Sequence, residues 1–503
     1  MRSLPYPLIC FLSAALALAV YLFTLAPDLT WANFGSDGGE LITAAMTWGV
    51  PHPPGYPTYV LLGHLVGWLP FGTAVYRFNL FSAVCVAGAV GLVTAVNLWF
   101  VVGDLSPSAG DKSPTTNTNA TMPAVAAGLT FAFAPLVWGQ ALVSEVYALN
   151  LFCLALFLWA LLTVRPCWLV GLFLGLSITT HLTSLLMLPL ALVGCGRRQR
   201  QPLMVGLMIG LLPFLLLPLF AQSGSPVQWG EPDTLRGWWW LVSAQIYRPN
   251  LFAVSPALLL SRLANWAILL PAQFLWFGFF CAALGLAKFR KPYAVSREPT
   301  MGFGLRIAHH ASRITHHRLP ITTLFTITLY LLYALVYNTP DAVLFTLPAL
   351  LLAAMFLGLG LRPLRQWSLL LPLCLLLLNF QGQDLSQGVM VRPSATALLQ
   401  AAPPHALLVS SDSGATFSLW YFVHVEKQRP DVVIVDSNLF AFDWHRRHLA
   451  AQHPTLFVPA ADDLPAFYAQ NGAARPLCFA QLTPEAEPAF GLECKEEVSL
   501  RQR

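Results

Sequence analysis

The sequence predicts a mainly α-helical, polytopic membrane protein that ends in a small α/β domain, and three observations carry that prediction. Of its 503 residues, 56% are hydrophobic and only 10% charged, whereas soluble domains carry roughly a quarter charged residues. Apolar runs long enough to cross a bilayer, about 20 residues each, recur through the first three quarters of the chain. The last quarter changes character, to short apolar runs separated by polar turns. The net charge of +5 is small and its placement follows topology, so nucleic acid is excluded as a partner and the lipid bilayer is the expected one.

The first run, in "MRSLPYPLICFLSAALALAVYLFTLAPDLTW", extends from about Leu8 to Leu25. That is longer than the apolar stretch of a signal peptide, and no small-x-small cleavage site follows it. It reads as a retained first transmembrane helix. The predicted spans are 7–26, 76–102, 123–139, 148–164, 167–180, 182–196, 202–222, 264–287, 319–337, 342–361 and 366–379, about eleven in all, with the fifth and sixth forming a short broken hairpin.

Orientation follows from where Lys and Arg gather. Arg165, the "GRRQR" at 196–200, the basic loop 288–318 and the pair Arg362 and Arg365 all fall on one side when the N-terminus is cytoplasmic. The segments 27–75, Ser144 to Tyr147, His181, 223–258, Asn338 to Asp341 and the tail then lie outside. The stretch 104–122 reads as a disordered cytoplasmic linker, and its Asn119-Ala120-Thr121 sequon as a chance match on the wrong side. His309, His310, His316 and His317 read as part of a basic surface loop rather than a metal site.

The tail "HALLVSSDSGATFSLWYFVHVEKQRPDVVIVDSNL" predicts a strand at Ala406–Ser410, a helix at Thr416–Glu426 and a second strand at Asp431–Val435, a β-α-β pattern. The division expected is a transmembrane domain, 1–379, and an exoplasmic α/β domain, 380–503. The "SSDSG" turn reads as structural rather than as an anion site. Cys478 and Cys494 fall in this polar region and form a disulfide if it is outside.

The chemistry is expected at "SDGGELITAAMTWGVPHPPGYPTY", residues 36–59. Asp37 stands near the start of a short amphipathic helix, where the helix dipole favours an acid. Glu40 follows one turn later on the same face. Four prolines, Pro51, Pro53, Pro54 and Pro57, stiffen the turn that carries His52 and Tyr56. Rigid loops that fix a histidine and two acids beside a membrane suggest a site. Glu145 and Tyr147 of "SEVYALN", His181 of "TTHLTS", and Asp341 of "YNTPDAVLFTLP" lie on the same side. So do Trp229, Asp233, Arg236, Tyr247 and Arg248 of "VQWGEPDTLRGWWWLVSAQIYRPN". Ionisable groups gathered at one membrane face point to a shared cavity.

These segments together resemble the GT-C superfamily of membrane glycosyltransferases. Within it they resemble the family whose eukaryotic member is an O-mannosyltransferase acting on IPT/TIG domains. The resemblance spans most of residues 8–361, and "LWYFVHVEKQRPDVVIVD" is similar to the end of bacterial relatives. One departure is that the first motif often reads Asp-Ser-Gly-Glu, where this chain has Asp37-Gly38-Gly39-Glu40.

The resemblance implies transfer of a sugar, expected to be mannose, from a polyprenyl-phosphate donor to a hydroxyl of an acceptor protein or glycan. It implies Asp37 as general base and Glu40 as the residue positioning acceptor or sugar. His181, Arg236 and Arg248 are candidates for the phosphate end. His52, Tyr56, Glu145, Tyr147, Trp229, Asp233, Tyr247 and Asp341 are expected to bind substrate. The scheme requires no cofactor and no metal. A transporter or flippase, or a scaffold with a sensor tail, would explain the spans without the acids at their outer edge. The compact tail and the lone inner sequon favour a bacterial inner membrane, with the tail periplasmic.

Overall fold

Length and apolarity decide which helices can cross a bilayer. In the computed structural model, which describes residues 5–103, 118–163, 165–289, 318–483 and 489–495, five helical stretches meet both conditions. They are Tyr6–Thr24, Ala74–Val101, Arg197–Phe220, Arg318–Val336 and Ala342–Gln383. The last contains a break at Arg365 (φ 50°, ψ −126°), between the expected spans 342–361 and 366–379. Shorter apolar helices run over Val146–Leu162, Cys167–Thr180 and Leu182–Cys195, the last two hinged at His181 as expected.

Two expected spans are corrected. The run 123–139 is a pair, Thr121–Phe133 and Pro135–Ala141, bent by 68°. Ala134 there is extended, as the residue before a proline prefers. The run 264–287 is also a pair, Pro256–Ala272 and Phe277–Lys288, bent by 79°. Its break follows Pro271 and passes through Leu275 and Trp276 at φ 52° and 55°, backbone values that no continuous helix contains.

Close packing within the bundle uses small residues. Gly171 and Gly175 face Gly206 and Gly210, and a Cβ at Gly206 would stand 1.9 Å from the Trp168 carbonyl oxygen. This is a small-xxx-small crossing of the kind that lets apolar helices approach backbone to backbone. A polar tie adds to it, since Asn97 donates to the Ala354 carbonyl at 2.9 Å and accepts from Gly358 N–H at 2.8 Å. Cys167 and Cys195 are disulfide-bonded across the short hairpin.

The tail carries a four-stranded sheet of order β2-β1-β3-β4: β1 Leu407–Ser410, β2 Val433–Asp436, β3 Leu477–Thr483 and β4 Ala489–Lys495. β1 is parallel to β2 and to β3, and β4 is antiparallel to β3. Cys478 and Cys494 stand directly opposite in β3 and β4 and are bonded. The β1–β2 crossover is helical over Ser413–Trp420 and continues as a wider turn, Tyr421–Val425. Its start is set by Asp412, whose carboxylate accepts from Ala415 N–H at 2.7 Å, so "SSDSG" is a helix cap. Helix 370–383 runs past the expected domain boundary at 380.

The tail docks on the end of the bundle that carries the acids. Arg392 bridges Asp28 after the first helix and Glu426 of the tail. Trp31 donates its indole N–H to Ser418 Oγ at 3.1 Å, and Val391 N–H to the Leu29 carbonyl at 2.7 Å. The linker core 104–117 and the loop 290–317, with its four histidines, lie outside the described residues.

Candidate active site

Glu40 sits in the first turn of the helix Gly38–Thr47 and is fully buried. One carboxylate oxygen accepts from the Trp229 indole N–H and, at 3.3 Å, from the His52 backbone N–H; the other meets His52 Nδ1. Two chain segments bring these partners together. Val50 N–H donates to Val227 C=O at 2.9 Å and Trp229 N–H to Val50 C=O at 3.0 Å, a short parallel bridge that lays the Trp229 loop along the strand leading to His52. The proline turn then returns the imidazole over Glu40.

Through its other nitrogen, His52 faces Tyr56 Oη at 3.0 Å and Asp37 Oδ2 at 3.7 Å. Burial alone would lower the His52 pKa. Glu40 outweighs it, by charge and by hydrogen bond, with help from Asp37 and Asp341, and raises it to about 9. His52 is therefore an imidazolium at neutral pH, donating through both nitrogens. Asp37, by contrast, keeps 37% of its side-chain exposure. Loss of water around it raises its pKa to about 6; His52 opposes the rise, and Glu40 and Asp341 add to it.

A second group of residues borders this trio. Glu145 is buried and leaves Oε1 without a hydrogen bond. Its pKa is held well above the usual carboxylate range by burial and then by Asp37 and Asp341. Tyr147 donates to Asp341 Oδ2 at 2.9 Å. His181 caps the short helix after it, pairs with Thr183 Oγ1 at 2.7 Å and lies between the rings of Tyr147 and Phe345. The Tyr247 ring is 6.4 Å from that of His52.

The segment that builds the site contains unusual backbone. Asn33, Phe34, Trp48 and Tyr56 all have positive φ, between 39° and 65°, in a region that side chains other than glycine rarely occupy.

Of the residues expected from sequence, Asp37, Glu40, His52, Tyr56, Glu145, Tyr147, His181, Trp229, Tyr247 and Asp341 converge on this region. Asp233 and Arg236 are exposed around the start of the helix Leu235–Val242. Arg248 is exposed and donates to Ser243 Oγ at 3.2 Å. Among the described residues, no three His, Cys, Asp or Glu are grouped to hold a metal ion.

Several neighbours escape sequence reasoning. Phe417 and Trp444 come from the tail, and no local pattern marks them. Arg262 had a signal, a single cation in an apolar helix. It donates to the carbonyls of Tyr337 at 2.6 Å and Thr339 at 2.8 Å, fixing the loop before Asp341.

Known proteins are similar to parts or most of this chain. Residues 37–203 match the family model described as the protein O-mannosyl-transferase TMEM260 N-terminal domain, and residues 391–454 match TMEM260-associated domain 2. The chain is 27% identical to protein O-mannosyl-transferase TMEM260 of Mus musculus, over 88% of this chain and 64% of that protein. It is 22% identical to the Dictyostelium discoideum protein of the same name, over 85% of this chain and 57% of the relative. The chain thus spans about three fifths of the length of these relatives. Among solved structures it is similar to ArnT from Cupriavidus metallidurans bound to undecaprenyl phosphate, with a TM-score of 0.51 and 13% identity over 94% of this chain and 92% of that one. That likeness places the fold as GT-C. The first match begins at Asp37 itself and the second covers the tail segment that packs against it, so in both regions the chain resembles the TMEM260 family.

Proposed function

We propose that this chain is a glycosyltransferase that moves mannose from a polyprenyl-phosphate donor to an exoplasmic acceptor hydroxyl, with Asp37 as general base. One observation carries the assignment. A partly exposed carboxylate stands 3.7 Å from an imidazole that a buried glutamate keeps charged. Asp37 titrates at about 6, close enough to neutrality to be ionised yet basic, which suits proton abstraction in a displacement. The acceptor oxygen attacks C1 of the sugar as its proton passes to Asp37. The C1–O bond to the lipid phosphate breaks on the opposite face, and the phosphate leaves with the electron pair.

Glu40 takes a different part from the one expected. Its oxygens are engaged by Trp229 and His52, so it orients the imidazolium rather than touching acceptor or sugar. Arg248, beside Tyr247, is the candidate cation for the departing phosphate, with Arg236 further along the surface. His181, tied to Thr183, shapes the aromatic side of the cavity. The names of the relatives support a protein hydroxyl as acceptor, and the undecaprenyl phosphate bound to ArnT supports a lipid-phosphate donor. The charge map supports a cytoplasmic N-terminus with the site and sheet exoplasmic, facing the periplasm in a bacterial inner membrane.

The test is transfer from a polyprenyl-phosphate mannose to a Ser/Thr acceptor by the full chain in lipid. Asp37→Asn is expected to lower turnover by at least about a hundredfold while membrane insertion and thermal stability stay unchanged. Near-normal turnover by that variant would remove Asp37 from the mechanism.

A further inference from the structure

The C-terminal domain closes on the acid pair. Gly39, between Asp37 and Glu40, lies so near the helix Ser413–Trp420 that a Cβ there would stand 2.4 Å from the Phe417 carbonyl oxygen. On the same helix the Phe417 ring is parallel to the His52 ring, 7° apart in plane and 6.4 Å between centroids. Ring pairs attract across that range.

The other side of Glu40 is reached from the tail helix Asp443–Gln452. Trp444 packs on Trp229 with centroids 5.5 Å apart. Arg447 pairs with Glu231 at 2.7 Å, and Gln452 donates to the Ser225 carbonyl at 2.7 Å, so the whole Trp229 loop is clipped to this helix. Trp229 in turn donates to Glu40. Both side-chain partners of the buried carboxylate therefore lean on residues of the tail.

We propose that the C-terminal domain is a working wall of the active site, in which Phe417 and Trp444 are positioning residues that hold His52 and Trp229 against Glu40. The kinetic consequence rests on the transferase reading; the positioning does not. Without the Phe417 ring the imidazole gains freedom to turn away from Glu40. Without Trp444 the indole N–H that fixes the other oxygen swings out. In each case Glu40 is held less firmly on His52, and the charge on His52 is less well supported.

The experiment uses the full chain in lipid nanodiscs. Phe417→Leu and Trp444→Leu keep apolar bulk and remove the ring; Phe417→Tyr and Trp444→Phe keep a ring. The first readout needs no substrate: exchange of the His52 C2 hydrogen, followed by mass spectrometry against pH, gives the imidazole midpoint. In the parent and the ring-bearing variants it is expected near 9. In both leucine variants it is expected to fall toward the free value of about 6.5. The second readout is turnover of polyprenyl-phosphate mannose with a Ser/Thr peptide. There kcat is expected to drop roughly threefold to tenfold in the leucine variants, with KM for the donor unchanged and recovery in the ring-bearing variants. Leucine variants that keep both the parent midpoint and the parent kcat would overturn the proposal. A parent that titrates as expected yet transfers no sugar sinks the transferase reading alone. The two leucine variants sit on different helices, so misfolding of one leaves the other to decide.

Discussion

Ionisation of Asp37 is opposed by burial, and further by Glu40 and Asp341, while His52 favours it. The imidazole in turn stays charged chiefly because Glu40 offsets its burial. In the proposed mechanism the productive state has Asp37 ionised and His52 protonated. Below about 6 the base is blocked by a proton, and above about 9 the imidazolium is lost. Turnover is therefore expected to rise through the first value and fall through the second, a bell whose limbs report the coupled pair. Glu40→Gln keeps the shape and removes the charge that raises the His52 pKa. Its alkaline limb should move down toward about 6.5, while an unchanged limb would exclude the Glu40–His52 pairing. The stretch that holds these groups was legible in the sequence, because Asp37, Glu40, His52 and Tyr56 lie in one run with proline-rich stiffening; the pairing of Glu40 with His52 was not. The division of labour was not legible. Which acid meets solvent depends on Trp229, brought in from a loop almost two hundred residues away.

At the scale of elements, the helix Gly38–Thr47 has two glycines with different reasons to be glycine. A Cβ on Gly39 would meet the Phe417 backbone at 2.4 Å, whereas on Gly38 it would meet the Ser144 carbonyl oxygen at 3.1 Å and the flexible Leu29 side chain at 3.3 Å. A backbone contact cannot yield without moving a whole helix, so Gly39→Ala is expected to cost about 1–3 kcal/mol. It should be read as a lowered midpoint of thermal unfolding. Gly38→Ser should cost a fraction of that. Equal effects would mean that the two helices do not meet as described. This agrees with the serine that the resembling motif often carries at the first of the two positions. Long uninterrupted apolar helices were readable from periodicity and length alone. Hydropathy does not register the breaks at Ala134, before Pro135, and at Leu275–Trp276, after Pro271, because it averages across a kink that the backbone cannot.

Taken as one molecule, the chain joins an apolar bundle to a tail with a distinct sensitivity to acid. His424, His445, His448 and His453 line one pocket of the tail with Trp420, Ile434 and Pro226 of the Trp229 loop. Burial pulls His424 and His445 down to about 4 and about 3, and lowers His448 and His453 as well. Lys427, Arg446 and Arg475 oppose their charging further. Groups with depressed folded pKa values stabilise the fold fully above the unfolded value, about 6.5, and that contribution is lost as pH falls below it. The protection factors of amides in β1 and in the helix Asp443–Gln452, with the intrinsic pH dependence of exchange divided out, should then fall by about tenfold or more between pH 7.5 and pH 5, with those of the bundle helices little changed. Equal protection at both values would show that these histidines do not bear on docking. The β-α-β core of the tail was readable from its strand pattern; its seat on the bundle was not, since the contacts join residues hundreds of positions apart.

The bond from Trp31 to Ser418 closes a loop of 387 residues, and that separation fixes an order of events during synthesis. Asp37 and Glu40 emerge from the ribosome early, with the first helix. The surface that seats Gly39 and orders His52 is made more than 370 residues later. Nascent chains halted before Ser413 should insert the preceding spans yet show a His52 titration near the free value. The acids would thus be in place before the segment that orders the imidazole beside them is made.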